Sequence, residues 1–159
     1  MRGTAMTNSV SIRRAERTDM PACAGILNRW IDATPWMPRV HDHDDVERYY
    51  AETVFAERTV LLAEEDGDIA GFLSLSADNY VTALYIDEQH RGAGIGAWLI
   101  DTAKAMSPDE LSLWTFEHNR DAQRFYEHQG FEVVRRTDGD NEEQLPDILY
   151  RWQAREMRA

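Results

Sequence analysis

The chain has 159 residues, of which 43% are hydrophobic and 29% are charged, a composition typical of one globular domain. Its formal net charge of −12 argues against a general nucleic-acid binder, because basic side chains that contact phosphates supply most of that affinity. No apolar run reaches the length of a membrane span. The lone Cys23 cannot form an intramolecular disulfide, and its apolar neighbours indicate a core residue rather than a catalytic thiol. We therefore expect a cytoplasmic protein that binds neither nucleic acid nor membranes.

The first half of the chain predicts both strands and helices. Residues 1–8 are polar and unpatterned, so we expect a loose tail followed by a single domain at 9–159. Asp19 precedes Met20-Pro21, an order typical of the N-cap and first turn of a helix, which Pro35 ends. The elements predicted here are a strand at 10–15, a helix from 20, a helix at 44–55, and a hairpin of strands at 58–64 and 68–76.

The second half centres on a strand, a glycine loop and a helix. Gly92, Gly94 and Gly96 allow a sharp turn before the helix, where free backbone N–H groups and the helix dipole favour an anion, and Arg91 adds a guanidinium. No Lys-Ser/Thr pair follows, which excludes a P-loop, and Glu117 is only a weak match to the acidic residue of a dinucleotide site. The predicted elements are strands at 80–86, 111–116, 131–136 and 145–152, a helix from 95, and a helix at 119–129.

Two motifs resemble those of the GCN5-related N-acetyltransferases, the GNAT family. The spacing Arg91-x-x-Gly94-x-Gly96, after a strand that ends in Leu-Tyr-Ile, resembles the acyl-CoA signature of that family. The second block consists of Asn119, Ala122, Phe125, Tyr126, Gly130 and Phe131. The resemblance covers about 10–152, with Glu88 where members often carry proline. It implies the GNAT fold, an α/β fold with a mixed, mostly antiparallel sheet of about seven strands and about four helices.

The resemblance also implies acetyl-CoA as the co-substrate. The backbone of the strand at 80–86 would pair with the pantetheine arm, and Asn119 would both cap its helix and bond a pantetheine amide. The expected cofactor-binding residues are Leu84, Tyr85, Ile86, Arg91, Gly92, Ala93, Gly94, Ile95, Gly96, Ala97, Asn119 and Tyr126.

Acetyl transfer to an amine needs a proton donor for the departing thiolate and a base for the amine. By its motif Tyr126 supplies the proton, since a phenol stays protonated at neutral pH; the alternative is a core tyrosine beside Phe125. Asp78 is the predicted base by resemblance, although Asp78-Asn79 also suits a turn, and Glu117 and His118 are reserve candidates.

In family members the connection between the first two helices lines the acceptor pocket. Trp36, His41 and His43 are therefore the expected substrate contacts, although Trp36 equally suits an anchor for the loop. The acidic residues at 42–45 are interpreted as a helix N-cap rather than as metal ligands. The acidic loop at 138–143 suits a solvated turn or, alternatively, a surface that attracts a cationic acceptor.

These observations predict an N-acetyltransferase that transfers an acetyl group to a primary amine of a small molecule by direct attack in a ternary complex. The alternatives are a protein or peptide N-acetyltransferase and a non-catalytic acyl-CoA-binding sensor. Tyr150 and Trp152 on the last strand could bury against a second copy in a homodimer or complete the core.

Overall fold

The computed structural model describes residues 9–154, so the tail predicted at 1–8 lies outside the described residues. Seven strands and four helices confirm the predicted fold class. The strands are β1 (Val10–Arg14), β2 (Thr59–Glu65), β3 (Asp68–Leu75), β4 (Val81–Ile86), β5 (Glu110–Phe116), β6 (Glu132–Thr137) and β7 (Asp147–Gln153). The helices are α1 (Met20–Ala33), α2 (His43–Tyr49, continued by a π-helical segment, Tyr50–Val54, and by Phe55–Glu57), α3 (Ile95–Met106) and α4 (Arg120–His128). None of these helices is long and apolar enough to cross a membrane.

The strands form two antiparallel sheets that a single parallel bridge joins. The first sheet has the order β1-β2-β3-β4, and the second has the order β5-β7-β6. Tyr80 bridges to Ser112, whose N–H donates to the carbonyl of Asn79 at 2.9 Å. After this bridge β4 pairs only with β3 among the described residues, so its other edge is open from Val81 to Ile86. The mixed sheet expected from the sequence is therefore divided between its fourth and fifth strands.

The two faces of the first sheet bury separate cores. The face that carries Leu61 and Leu73 packs against α3, α4 and the second sheet, whereas Leu62 and Phe72 pack against α1 and α2. Burial of such side chains is the main favourable contribution to folding. Tyr150 is fully buried in the first of these cores, and Trp152 packs against it together with other partly buried side chains. Both aromatic residues thus complete the fold, and a homodimer remains a prediction.

A bulge in β4 changes which side chains face each core. The pairs Ser74 with Ala83 and Leu75 with Val81 leave Thr82 as an extra residue in β4. The side chains of Val81, Leu84 and Ile86 belong to the core under α3, whereas Ala83 and Tyr85 belong to the core under α1 and α2. Bulges of this kind redirect side chains and are frequent beside active sites.

Asp19 precedes α1 as predicted, but its side chain does not cap the helix. Its carboxylate accepts from the backbone N–H of Glu16 at 2.7 Å and from the guanidinium of Arg13 at 2.9 Å. Arg13 also donates to Glu64 at 3.1 Å. The bond from Arg13 lowers the pKa of Asp19, and the cluster ties β1 and β2 to the beginning of α1.

The buried position of Cys23 allows a test of the core under α1. The side chain has no exposed surface, and burial raises the pKa of its thiol to about 12. Since the thiolate is the nucleophile, we expect iodoacetamide at pH 8 to leave folded protein unmodified and to alkylate it rapidly in denaturant. Intact-mass spectrometry measures both states, and the single cysteine makes the result unambiguous. Equal alkylation rates in both states would contradict this placement.

Candidate active site

The glycine loop leaves open space beside the N-terminus of α3. Gly92 has φ +87° and Gly94 has φ +77°, backbone conformations that residues with a Cβ rarely adopt. A Cβ at either position would meet no atom within 4 Å, so no neighbouring group of the described chain fills the space beside these glycines. Gly94 is the N-cap of α3, where the first helical N–H groups lack intrahelical partners. These features suit a phosphate group approaching the backbone closely.

The turn that leads into this loop is held by side chains from β2 and α1. His90 Nδ1 lies 2.6 Å from Glu65 Oε1, and both side chains are largely buried. Arg29 contacts Asp87 at 3.1 Å. Arg91, which is exposed, donates from Nε to the carbonyl of Ile86 at 3.2 Å, so its guanidinium lies near the open edge of β4. The predicted phosphate ligand Arg91 is thus placed between the strand edge and the loop.

The remaining predicted cofactor residues of the loop divide into exposed and packed positions. Ala93 is exposed and Ala97 half-buried, whereas Ile95 is buried in the core. A Cβ on Gly96 would approach Phe125 Cζ to 3.3 Å, so the glycine allows α4 to pack closely against α3. This contact brings the second sequence motif to the first, and the cofactor contacts themselves remain predictions.

Tyr126 lies on α4 inside an aromatic cluster. Its ring centroid is 5.2 Å from that of Phe125, 5.6 Å from Phe131 and 6.4 Å from Tyr150. Burial raises the pKa of Tyr126 well above its usual value, and the neighbouring Tyr85 raises it further. Its hydroxyl makes no hydrogen bond with residues 9–154, yet no fully enclosed side-chain polar atom in that range lacks a partner. The hydroxyl is therefore protonated and not fully enclosed by the described residues.

Asn119 caps the helix that carries Tyr126, as predicted. Its Oδ1 accepts from the backbone N–H of Ala122 at 3.1 Å. This bond satisfies one of the N–H groups that the first turn of α4 leaves without an intrahelical partner. The amide nitrogen of the side chain is not used in the cap, and its role toward pantetheine remains a prediction.

A cavity of about 680 Å³ lies between α1, α2, β4 and the loop at 138–146. Apolar and aromatic side chains form most of its wall, among them Leu27, Met37, Val46, Tyr85 and Phe116. Its acidic and basic lining residues are His41, Asp45, Arg58, Glu142 and Glu143. A concave, mostly apolar space of this size with a few polar groups is typical of a small-molecule site.

The acidic loop at 138–146 is ordered by its own hydrogen bonds. The amide of Asn141 donates to the carbonyl of Leu145 at 2.7 Å and to the carboxylate of Asp147 at 3.0 Å, and it accepts from the N–H of Leu145 at 3.1 Å. This arrangement turns Glu142 and Glu143 toward the cavity. Two of the loop's carboxylates thus line the cavity while Asp138 and Asp140 are exposed, and attraction of a cationic acceptor remains a prediction.

Tyr85 of β4 lines the cavity. Its ring packs on Trp30 at 5.2 Å and on Phe72 at 6.0 Å. Burial, followed by the charge of Glu143, raises the pKa of Tyr85 to about 12. Tyr85 in turn raises the pKa of Tyr126, although the two rings belong to the cores on opposite faces of the first sheet.

The predicted acceptor contacts occupy different places around the cavity. His41 lines it, and its Nε2 lies 2.9 Å from Glu142 Oε2, which joins two loops. His43 lies 2.8 Å from Asp32, and Asp42 caps α2 through the N–H of Asp45 at 2.8 Å, as predicted for this acidic run. Within residues 9–154 no three His, Cys, Asp or Glu side chains could hold a metal ion together.

Trp36 anchors the connection between α1 and α2. Its ring stacks on His118 with centroids 5.6 Å apart and meets Phe116 and Trp30 edge to face at 5.9 and 5.8 Å. The neighbouring Met37 and not Trp36 lines the cavity. The anchoring role suggested by the sequence is thus present, and a contact with substrate remains a prediction.

The carboxylate predicted to act as base, Asp78, lies on the exposed turn between β3 and β4 and accepts from the hydroxyl of Ser76. It is outside the lining of the cavity. Of the reserve candidates, Glu117 contacts Arg136 at 3.3 Å and His118 lies under Trp36. Within residues 9–154 Asp78 forms no hydrogen bond with Tyr126 or Tyr85.

Open space at the glycine loop, an unpaired strand edge, a buried tyrosine and a mostly apolar cavity are the features expected of an acyl-CoA-dependent transferase. The chain matches the model of the Acetyltransferase (GNAT) family over residues 25–131. It belongs to this family and is an acetyl-CoA-dependent N-acetyltransferase.

Two relatives and one solved structure illustrate the breadth of the family. The peptidyl-lysine N-acetyltransferase YiaC of Escherichia coli (strain K12) is 30% identical over 149 residues, 89% of this chain and 95% of that protein. YwnH of Bacillus subtilis (strain 168), named as a candidate phosphinothricin acetyltransferase, is 28% identical over 142 residues, 77% of this chain and 83% of that protein. The structure of yncA from Salmonella typhimurium with acetyl-CoA superposes with a TM-score of 0.70 at 23% identity, covering 95% and 97% of the two chains.

We expect Gly94→Val to weaken binding of coenzyme A. The added side chain points into open space that the phosphates would occupy, and the dissociation constant measured by calorimetry is expected to rise by about tenfold or more. Gly67→Val is the matched control, because Gly67 has φ +88° and equally open surroundings in the turn between β2 and β3. Equal affinities of the two variants would contradict the assignment of the loop.

Proposed function

We propose that the acceptor is a primary amine on a small molecule and that the acetyl group passes to it directly in a ternary complex. The cavity of about 680 Å³ carries this proposal, because it is closed on several sides and is bordered by Glu142 and Glu143. A volume of this size accommodates a small molecule, and the carboxylates attract an ammonium group.

The glycine loop and the open edge of β4 offer groups that suit acetyl-CoA. The glycines at 92 and 94 leave room beside the helix N-terminus, Arg91 offers a guanidinium, and the edge of β4 offers backbone groups without strand partners. When bound, acetyl-CoA supplies an acetyl thioester. Its departing sulfur needs a proton, which Tyr126 holds at neutral pH because its pKa is raised.

Two carboxylates are candidates for receiving the proton of the amine. Glu143 lines the cavity and lies beside Tyr85, so we favour it as the group that attracts the ammonium and accepts its proton. Asp78 remains the alternative predicted by the family resemblance, although its position on an exposed turn gives it no support.

Direct transfer is favoured over a covalent acyl-enzyme. An acyl-enzyme needs an activated nucleophile, for which a thiolate is the strongest candidate among side chains. Cys23 is the only cysteine of the chain, and it is buried with a pKa raised to about 12.

The second candidate function is acetylation of lysine side chains in proteins. The relative that is 30% identical is named for peptidyl-lysine acetylation, and a lysine side chain is itself a primary amine on an apolar stem. Acetylation confined to peptides in the experiment below would favour this alternative.

The experiment that tests the proposal measures thiol release from acetyl-CoA with amines, polyamines, amino acids and lysine-containing peptides. We expect release with small amines, and we expect Tyr126→Phe to lower kcat by roughly 10²-fold or more without changing the affinity for coenzyme A. The control is Tyr150→Phe, which removes a hydroxyl that donates to Glu127 at 2.7 Å in the same aromatic cluster. An equal fall of kcat in both variants would show that packing and not proton donation is responsible.

A second comparison separates the two candidate bases. Glu143→Gln is expected to lower kcat/KM for the amine by about 10²-fold, whereas Asp78→Asn is expected to leave it nearly unchanged. Asp138→Asn serves as the control, because Asp138 is an exposed carboxylate on the same loop and does not line the cavity. A large effect of Asp78→Asn alone would restore the assignment made from the family resemblance.

A further inference from the structure

The acceptor cavity contains a cation that the proposed mechanism does not use. Arg58 directly follows α2, is half-buried and lines the cavity. Its Nη1 donates to Thr82 Oγ1 at 3.1 Å, and its Nη2 donates to the hydroxyl of Tyr49 at 3.3 Å. Both partners are neutral, and no carboxylate within residues 9–154 forms an ion pair with this guanidinium. In a chain with a net charge of −12, an arginine facing an apolar cavity without a carboxylate partner needs an explanation.

Two irregularities of the backbone support the position of Arg58. The bulge in β4 places Thr82 on the cavity side, where its hydroxyl also donates to Ser74 Oγ at 2.9 Å. The π-helical segment Tyr50–Val54 of α2 begins directly after Tyr49. Single π-helical turns and β-bulges concentrate at functional sites, and here both lie next to the two groups that hold one guanidinium.

The charges of the cavity are separated along β4. Thr82, which holds Arg58, and Tyr85, which lies beside Glu143, are three residues apart in the strand, a distance of about 10 Å. The wall between them includes Ala83 and the apolar side chains of α2. The cavity therefore offers a cation beside Thr82 and a carboxylate, Glu143, beside Tyr85, with an apolar wall between them. Its other two carboxylates already have partners, because Asp45 contacts Arg48 at 2.8 Å and Glu142 contacts His41 at 2.9 Å.

We infer that the acceptor is a zwitterion in which an apolar spacer joins the primary amine to a carboxylate, and that Arg58 binds this carboxylate. The inference rests on the proposed function, since it names the class of amine. A guanidinium already oriented by two hydrogen bonds suits a carboxylate, which it contacts with paired N–H groups. The ammonium end then lies beside Glu143 and Tyr85, which line the same cavity.

The test compares ω-amino acids of increasing length with alkylamines of the same length. In the wild-type protein we expect kcat/KM for the best ω-amino acid to exceed that of its alkylamine by about tenfold or more. Arg58→Gln is expected to remove this preference by raising KM for the ω-amino acid, while KM for the alkylamine changes by less than about twofold. Arg58→Lys keeps the charge without the paired donors, so this variant should retain part of the preference for the ω-amino acid.

Arg17→Gln is the matched control, since Arg17 also packs on α2 but does not line the cavity. Its Nη1 donates to the carbonyl of Ala51 at 3.2 Å, and its guanidinium lies 4.7 Å from the ring centre of Phe55. Equal kcat/KM of the wild-type protein for both acceptor types, or an equal loss on both in Arg58→Gln, would overturn the inference.

Calorimetric titration with the ω-amino acids, in the absence of acetyl-CoA, separates this inference from the proposed function. Binding that depends on Arg58, without acetylation of any amine, would support the zwitterion site and overturn the proposed function. Acetylation of alkylamines with no binding of ω-amino acids would support the proposed function and overturn the zwitterion site.

Discussion

Within residues 9–154 the two sheets meet at one parallel bridge, between Tyr80 and Ser112, and the open edge of β4 lies where they separate beyond it. An antiparallel partner along β4 would use the backbone groups of that edge, and a closed sheet would leave no cleft between β4 and β5. The separation is maintained from both sides. α3 and α4 pack against one core and α1 and α2 against the other, so neither sheet can close over the gap without losing buried apolar contacts.

Electrostatics around this gap are local rather than global. The chain carries a net charge of −12, which repels an anionic co-substrate, so we expect binding to rely on oriented backbone N–H groups and Arg91 at short range. The same excess of carboxylates attracts cations into the acceptor cavity through Glu142 and Glu143. Burial disfavours the charged form of a tyrosine. It therefore raises the pKa of Tyr85 and Tyr126 and keeps their hydroxyls protonated.

The glycine loop could be predicted from the sequence because its chemistry is local. The glycines stand directly before an apolar helix, and Asn119 stands directly before another helix, so a few neighbouring residues predict the turn and the cap. The observed φ angles and the hydrogen bond of Asn119 agree with these predictions. The acceptor cavity could not be predicted in this way. Arg58 follows a helix and Glu143 lies in a polar loop, and only the pairing of distant strands brings them to one space. The bulge at Thr82 was equally hidden, because it depends on the register between β3 and β4.

The side chains on the two faces of β4 belong to different halves of the molecule. Val81, Leu84 and Ile86 face the half of the molecule that contains α3, and Thr82, Ala83 and Tyr85 face the half that contains the acceptor cavity. Substitutions on one side can therefore accumulate while the other side is preserved. This separation gives an evolutionary route by which one cofactor-binding half can serve many acceptors, as in a family whose members are named for lysine side chains and for phosphinothricin. We expect new specificity in such a protein to arise from changes to the cavity-facing residues of this strand and to the loops that border the cavity.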